Sequence, residues 1–275
     1  MIFFAILIGT LCAGIGSVWV AAILSFGLMA RYTQHMLSMA AGALLATAFM
    51  HLLPEAFESQ AGAHDLFMAL LIGLVFFFLL DKAELWHHGH EHGAHAHSHD
   101  HSHGHGHGHG HAHGHHHDHA PGPGHTGGSW AVLAGDSVHC FGDGVLIASA
   151  FMADVRLGMI ASVAVLAHEV PHHMGDLVIL RTGATDRQAA LIKVSMAGSV
   201  TALGGLLGYW LVDQMQGYLP FFLVIASSSF IYVALADLIP QLQKRLGGLQ
   251  TATQIAWLLA GIGLVTAVST LAHAS

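Results

Sequence analysis

The chain has 275 residues, 54% of them hydrophobic and only 9% charged, with a mean hydropathy of +0.60; a soluble domain carries roughly 25% charged residues. This composition excludes an ordinary water-soluble domain and points to an all-α membrane protein. A net charge of −8 with histidine neutral makes neither nucleic acid nor an anionic membrane surface an obvious partner.

Eight membrane-spanning helices are predicted in chain order, at about 2–27, 37–58, 65–86, 129–152, 155–180, 187–212, 217–239 and 253–273. The first begins at the N-terminus without a charged leader region and is long for a signal-peptide core, so it is read as a mature helix. It holds Cys12, and the fourth holds Cys140; with both thiols inside spans, a disulfide scaffold is excluded. Residues 87–128, between the third and fourth spans, contain 19 of the 27 histidines, mostly alternating with Gly, Ala, Ser or Asp. Such a segment cannot bury a core and is expected to be disordered, while its neutral imidazoles are expected to bind ions such as Zn²⁺, Ni²⁺ or Cu²⁺. Spans four and five are studded with polar residues. Spans one, six and eight are rich in small residues, among them Gly198, Gly204, Gly205 and Gly208 in span six, which suits close helix packing in lipid.

The expected organisation is therefore spans one to three (1–86), a cytoplasmic His-rich loop (87–128), spans four and five (129–180) and spans six to eight (181–275). This 3+2+3 arrangement is compatible with inverted repeats around a central pair. Seven of the eight Lys and Arg residues lie at connections of one side, and only Arg156 lies on the other. The positive-inside rule then puts both termini outside and the His-rich loop in the cytoplasm. A bacterial inner (plasma) membrane is the expected location.

Span four contains Asp136, His139, Cys140 and Asp143. His139 and Asp143 are four apart and project from one helix face, with Asp136 on the adjoining surface. In span five His168, His172 and Asp176 form a stripe at the same spacing, with Glu169 one residue round the helix and His173 beside it. An ionised side chain at the bilayer centre costs about 2.5–3.5 kcal/mol on insertion scales, and two facing helices so loaded need compensation. A divalent cation supplies it, because imidazole nitrogen and carboxylate oxygen suit Zn²⁺, with Fe²⁺, Mn²⁺ and Cd²⁺ close behind. Pro171 removes a backbone hydrogen bond to the carbonyl near Ala167, so a kink is expected beside the ligands.

His168-Glu169-Val170-Pro171-His172 also fits HExxH, the zinc-protease pattern with Glu as general base. An intramembrane zinc metalloprotease is therefore the alternative from another class, with His139 or Asp143 as the third ligand. Against it, Pro171 bends the helix whose regularity that motif needs. A metal efflux carrier of the cation-diffusion type is a further alternative, since those also have His-rich loops, although they usually end in a sizeable soluble domain.

At these residues the chain closely resembles the histidine-rich branch of the ZIP family of divalent-metal transporters. The resemblance rests on His139-Cys140-Phe141-Gly142-Asp143-Gly144 and on His168 through Asp176, and extends to His51-Leu52-Leu53-Pro54-Glu55-Ala56 and to Tyr232 through Pro240. It implies a transporter rather than an enzyme, moving Zn²⁺ or in some members Fe²⁺, Mn²⁺ or Cd²⁺ toward the cytoplasm. Matched by position, it implies a primary site of His139, Asp143, His168 and His172, with Glu169 bordering it or bridging to a second ion beside position 140. Cys140 stands where the family usually has Asn, and span six offers no carboxylate between Arg187 and Asp213. One strong site is therefore expected, with a second weak, absent or altered by the thiol. Cys140 either packs as a small apolar residue or, as a ligand, favours softer ions. Alternating access is the expected mechanism, with His51, Glu55, Asp136, His173, Asp176 and Asp237 as candidates for lining the paths. Expected partners are divalent metal ions and the lipid bilayer, without nucleic acid, and a homodimer is the candidate assembly. Binding requires neutral imidazole, whose ordinary pKa is about 6.5, so uptake is expected to weaken as external pH falls through that value.

Overall fold

The computed structural model describes residues 1–27, 33–89, 127–182, 186–242 and 247–274, and every element among them is helical. The expectation of a disordered loop falls mostly on 90–126, outside the described residues. The chain opens with α1 (Ile2–Leu11), a π-helical turn (Cys12–Gly16) and α2 (Ser17–Gly27). Next come α3 (Thr33–Thr47), a second π-helical turn (Ala48–Leu52) and the short α4 (Leu53–Phe57), followed by α5 (Ala63–Gly89). After the histidine-rich residues lie α6 (Gly127–Ala153), α7 (Val155–Thr182) and α8 (Arg187–Gln214). Then α9 (Leu219–Tyr232) runs through a third π-helical turn (Val233–Leu238) into α10 (Ile239–Leu242), and α11 (Gly248–Ala274) is last.

Among the described residues, six stretches are long and apolar enough to cross a membrane: Ile2–Leu24, Gln34–Phe57, Ala63–Leu80, Arg187–Gln214, Gln216–Ala236 and Gly248–Ala272. The helices α6 and α7 have 27 and 28 residues but are not among them. Their inward side chains are too polar for that test. By contrast, α5 turns Phe67, Leu71, Ile72, Val75, Phe76 and Leu79 outward, a surface suited to hydrocarbon rather than water.

Two of the π-helical turns have a visible cause. Pro54 and Pro240 each lack an N–H and crowd the carbonyl four residues earlier, at Met50 and Ala236. Those two carbonyls lie inside the turns Ala48–Leu52 and Val233–Leu238, where the wider helix makes room. Pro171 behaves differently: α7 runs through it as one helix from Val155 to Thr182. The turn from α6 into α7 is made at Asp154, whose Oδ1 accepts from the backbone N–H of Arg156 at 2.8 Å and of Leu157 at 3.3 Å. That carboxylate caps the start of α7 and sets the two helices side by side.

Packing divides the helices into two groups. One comprises α1, α2, α6, α7 and α8, and the other α3, α5, α9 and α11; α3 against α7 and α6 against α9 join them. The most extensive contact is α6 on α8. It is close because Gly144 of α6 abuts the Thr201 carbonyl and Gly204 of α8 abuts the Phe141 carbonyl, so a Cβ at either position would collide with backbone. The outer face of α7 is wedged by apolar side chains: Val170, Met174 and Leu177 pack with Val18 and Ala21 of α2 and Val194 of α8. That wedge fixes the rotation of α7 and turns its polar stripe toward α6.

Candidate metal centre

Helix α6 contributes Asp136, His139, Cys140 and Asp143, and α7 contributes His168, Glu169, His172, His173 and Asp176. All nine fall into three groups whose ligand atoms lie within 4.8 Å of one another. Two ligand atoms about 2.1 Å from a tetrahedral ion stand about 3.4 Å apart, which is the spacing to look for.

The first group is His139, Asp143, His168 and Glu169. His139 Nε2 lies 3.3 Å from His168 Nε2, 3.4 Å from Glu169 Oε1 and 3.8 Å from Asp143 Oδ2. His168 Nε2 lies 3.2 Å from Asp143 Oδ2 and 3.6 Å from Glu169 Oε1. The second group is Asp136, Cys140, Glu169 and His173, all buried. There His173 Nε2 is 3.0 Å from Glu169 Oε2, 3.8 Å from Asp136 Oδ1 and 3.9 Å from Cys140 Sγ. The third group is Asp136, His172 and Asp176. Glu169 thus faces the first group with Oε1 and the second with Oε2, and Asp136 belongs to both the second and the third.

Two hydrogen bonds determine which ring nitrogens are free in the neutral imidazoles. His168 Nδ1 is 3.3 Å from the Ala164 carbonyl, which only accepts, so Nδ1 carries the proton and Nε2 presents a lone pair to the first group. Ser17 donates its hydroxyl hydrogen to the Gly14 carbonyl at 2.6 Å, so at 3.0 Å its oxygen accepts from His173 Nδ1. His173 Nε2 therefore points a lone pair at Glu169, Asp136 and Cys140. Lone pairs and carboxylate oxygens at 3.0–3.6 Å in a buried place repel unless a cation or a shared proton lies among them. Consistent with that need, Asp143 Oδ2 and both oxygens of Glu169 are buried without a hydrogen-bond partner.

The sequence expectation placed His172 with His139, Asp143 and His168. In the structure Glu169 is the fourth neighbour of that set, while His172 stacks its ring on His139, with centroids 5.5 Å apart, and turns Nδ1 toward Asp136 and Asp176. Cys140 stands among ligand-type atoms. His51 is half-buried in the π-helical turn Ala48–Leu52, apart from the three groups. Glu55 is exposed and lines a shallow depression with Asp154 and Arg156 at the junction of α6 and α7. Asp237 lies in the turn Val233–Leu238, and its side chain is outside the described set. Ser17 was missed from sequence, because a serine 156 positions from its partner leaves no local signal.

Comparison with known proteins identifies the family. Residues 1–269 match the family model described as "ZIP Zinc transporter". The chain is 32% identical over 144 residues to the zinc transporter foi of Drosophila melanogaster, which covers 51% of this chain and 20% of that protein. It is 34% identical over 115 residues to zinc transporter ZIP10 of Mus musculus (42% of this chain, 14% of that protein). With human zinc transporter ZIP4 the figures are 35% over 116 residues, 42% and 18%. The chain thus spans a fifth or less of the length of these curated relatives. Because the family match runs through residues 1–269, nearly the whole chain, this chain belongs to the ZIP zinc transporter family.

Proposed function

We propose that the protein carries Zn²⁺ across a membrane toward the cytoplasm, with the ion held by His139, Asp143, His168 and Glu169 and released by alternating access. The observation that carries this reading is the first ligand group: four donor atoms from two helices at ion-sharing distances, with carboxylate oxygens that have no hydrogen-bond partner. The relatives named above are zinc transporters, which supports the choice of ion. The same donors also accept Fe²⁺, Mn²⁺ and Cd²⁺.

An eight-span, 3+2+3 arrangement is part of the proposal. Exchanging α2 with α8, α3 with α9, α5 with α11 and α6 with α7 carries the α6–α8 contact onto α7–α2. It likewise carries α3–α11 onto α9–α5 and α3–α7 onto α9–α6, and all of these contacts occur. This self-matching supports an inverted repeat. Both ligand helices belong to one packing group, which supports a mechanism in which that group moves against α3, α5, α9 and α11. The distribution of Lys and Arg supports termini outside.

The protease alternative needs His168 and His172 on one ion. Their nitrogens face different groups, His168 Nε2 toward Asp143 and His172 Nδ1 toward Asp176, which favours transport. The test is zinc flux in vesicles of known sidedness. Inward accumulation that is lost in His168→Ala and retained after deletion of 89–124 is the expected result. Outward flux would establish an efflux carrier instead.

A further inference from the structure

We propose that Asp136, His172 and Asp176 form a separate divalent-cation site, the station an ion occupies after the first ligand group as it leaves α6 and α7. The direction of passage rests on the transport reading above; the existence of the site does not.

The geometry is that of atoms sharing an ion. His172 Nδ1 is 3.5 Å from Asp136 Oδ1 and 3.4 Å from Asp176 Oδ2, against about 3.4 Å for two ligands on a tetrahedral zinc. Both carboxylates are buried, at 2% and 8% side-chain exposure, so water solvates them little. Among the described residues, Asp136 Oδ2 is buried without a hydrogen-bond partner, and Asp176 Oδ2 and His172 Nδ1 have only each other and Asp136 Oδ1 within ion-pair distance. Two buried carboxylates and one imidazole carry a charge that a divalent cation neutralises, and the three ligands leave a fourth position open for water.

Its place along the helices differs from that of the first group. Each group has one side chain that reaches toward solvent, His139 at 27% and His172 at 38% exposure, so it is position along the helices that separates them. Asp136 is nine residues from Gly127, where α6 begins, and Asp176 six from Thr182, where α7 ends, about 14 and 9 Å along the axes. The site therefore lies toward the end at which the histidine-rich residues join α6. The rings of His139 and His172, stacked at 5.5 Å and 23°, connect it to the first group. Asp136 connects it to the second. An ion moving from the first group toward that end exchanges one ligand at a time and is never without imidazole or carboxylate. With an open position and one exposed ligand, the third site is suited to letting go.

Anomalous diffraction from crystals of the full-length protein soaked in Cd²⁺ tests this directly. The expected map has one peak between Asp136, His172 and Asp176, distinct from a peak among His139, Asp143, His168 and Glu169. In Asp176→Asn the former is lost and the latter persists, which also shows that the variant is folded. A filled first group with nothing at Asp136, His172 and Asp176 overturns the proposal and leaves the transport reading intact. A third-site peak unchanged in Asp176→Asn overturns it as well. A peak at the third site alone upholds the proposal and removes the support for the first group as the transport site, and no peak at either place overturns both.

Discussion

Ser17 decides which nitrogen of His173 is available to an ion. Its own hydroxyl hydrogen is committed to Gly14, so it can only accept from the ring, and Nε2 is left bare toward Glu169. Groups that orient a ligand in this way typically matter by 10–100-fold in metal affinity. Ser17→Ala is therefore expected to weaken Zn²⁺ binding at the second group about tenfold, measured by calorimetric titration of the purified protein. Cys140 makes the second group softer than carboxylate and imidazole alone would. In Cys140→Ser, Cd²⁺ is expected to compete several-fold less well against Zn²⁺ uptake, while uptake of Zn²⁺ alone changes little. The i, i+4 spacing of His139 with Asp143 and of His168 with His172 was enough to single out α6 and α7 in the sequence as the candidate ligand helices. The partition into three groups was not, because it depends on how far α7 is rotated about its axis, and Val170, Met174 and Leu177 set that rotation through contacts with distant helices.

At the scale of helices, two glycines in α6 make opposite demands. Gly144 lies against the Thr201 carbonyl of α8, whereas nothing stands within 4 Å of where a Cβ on Gly142 would be. Overpacking a tight contact costs about 1–3 kcal/mol, and a helical Gly→Ala change in open space gains up to about 1 kcal/mol. Gly144→Ala is expected to lower the thermal unfolding midpoint of the detergent-solubilised protein, and Gly142→Ala to leave it unchanged or raise it. An all-helical chain with long apolar spans was legible in the sequence, since apolar runs of this length have few other uses, and six such spans stand among the described residues. The glycines were legible as packing residues too, but not their partners, for a small side chain announces a close approach without naming what approaches. The π-helical turns at Ala48–Leu52 and Val233–Leu238 also went unread. Pro54 and Pro240 mark where a helix is disturbed, yet the same residue type at Pro171 leaves α7 continuous.

At the scale of the whole molecule, six stretches among the described residues satisfy the apolar requirement for spanning, and the two helices that carry the candidate ligands do not. An aspartate near the middle of a span adds about 2.5–3.5 kcal/mol to the free energy of entering a membrane by the cell's insertion machinery. Asp136 and Asp143 together burden α6 by about 5–7 kcal/mol on that scale. The α6 segment placed alone in a reporter of membrane insertion is expected to fail to integrate, and the same segment with Asp136→Leu and Asp143→Leu to succeed, as read by glycosylation of flanking acceptor sites. The close seam between α6 and α8 then acquires a role in biosynthesis. Synthesis reaches α6 and α7 before α8, so the polar hairpin must wait beside the translocation channel, or under a membrane chaperone, until Gly204 of α8 arrives to dock on it. A chain interrupted before that point displays bare carboxylates within the bilayer, the kind of signal by which proteolytic surveillance recognises an unfinished membrane protein.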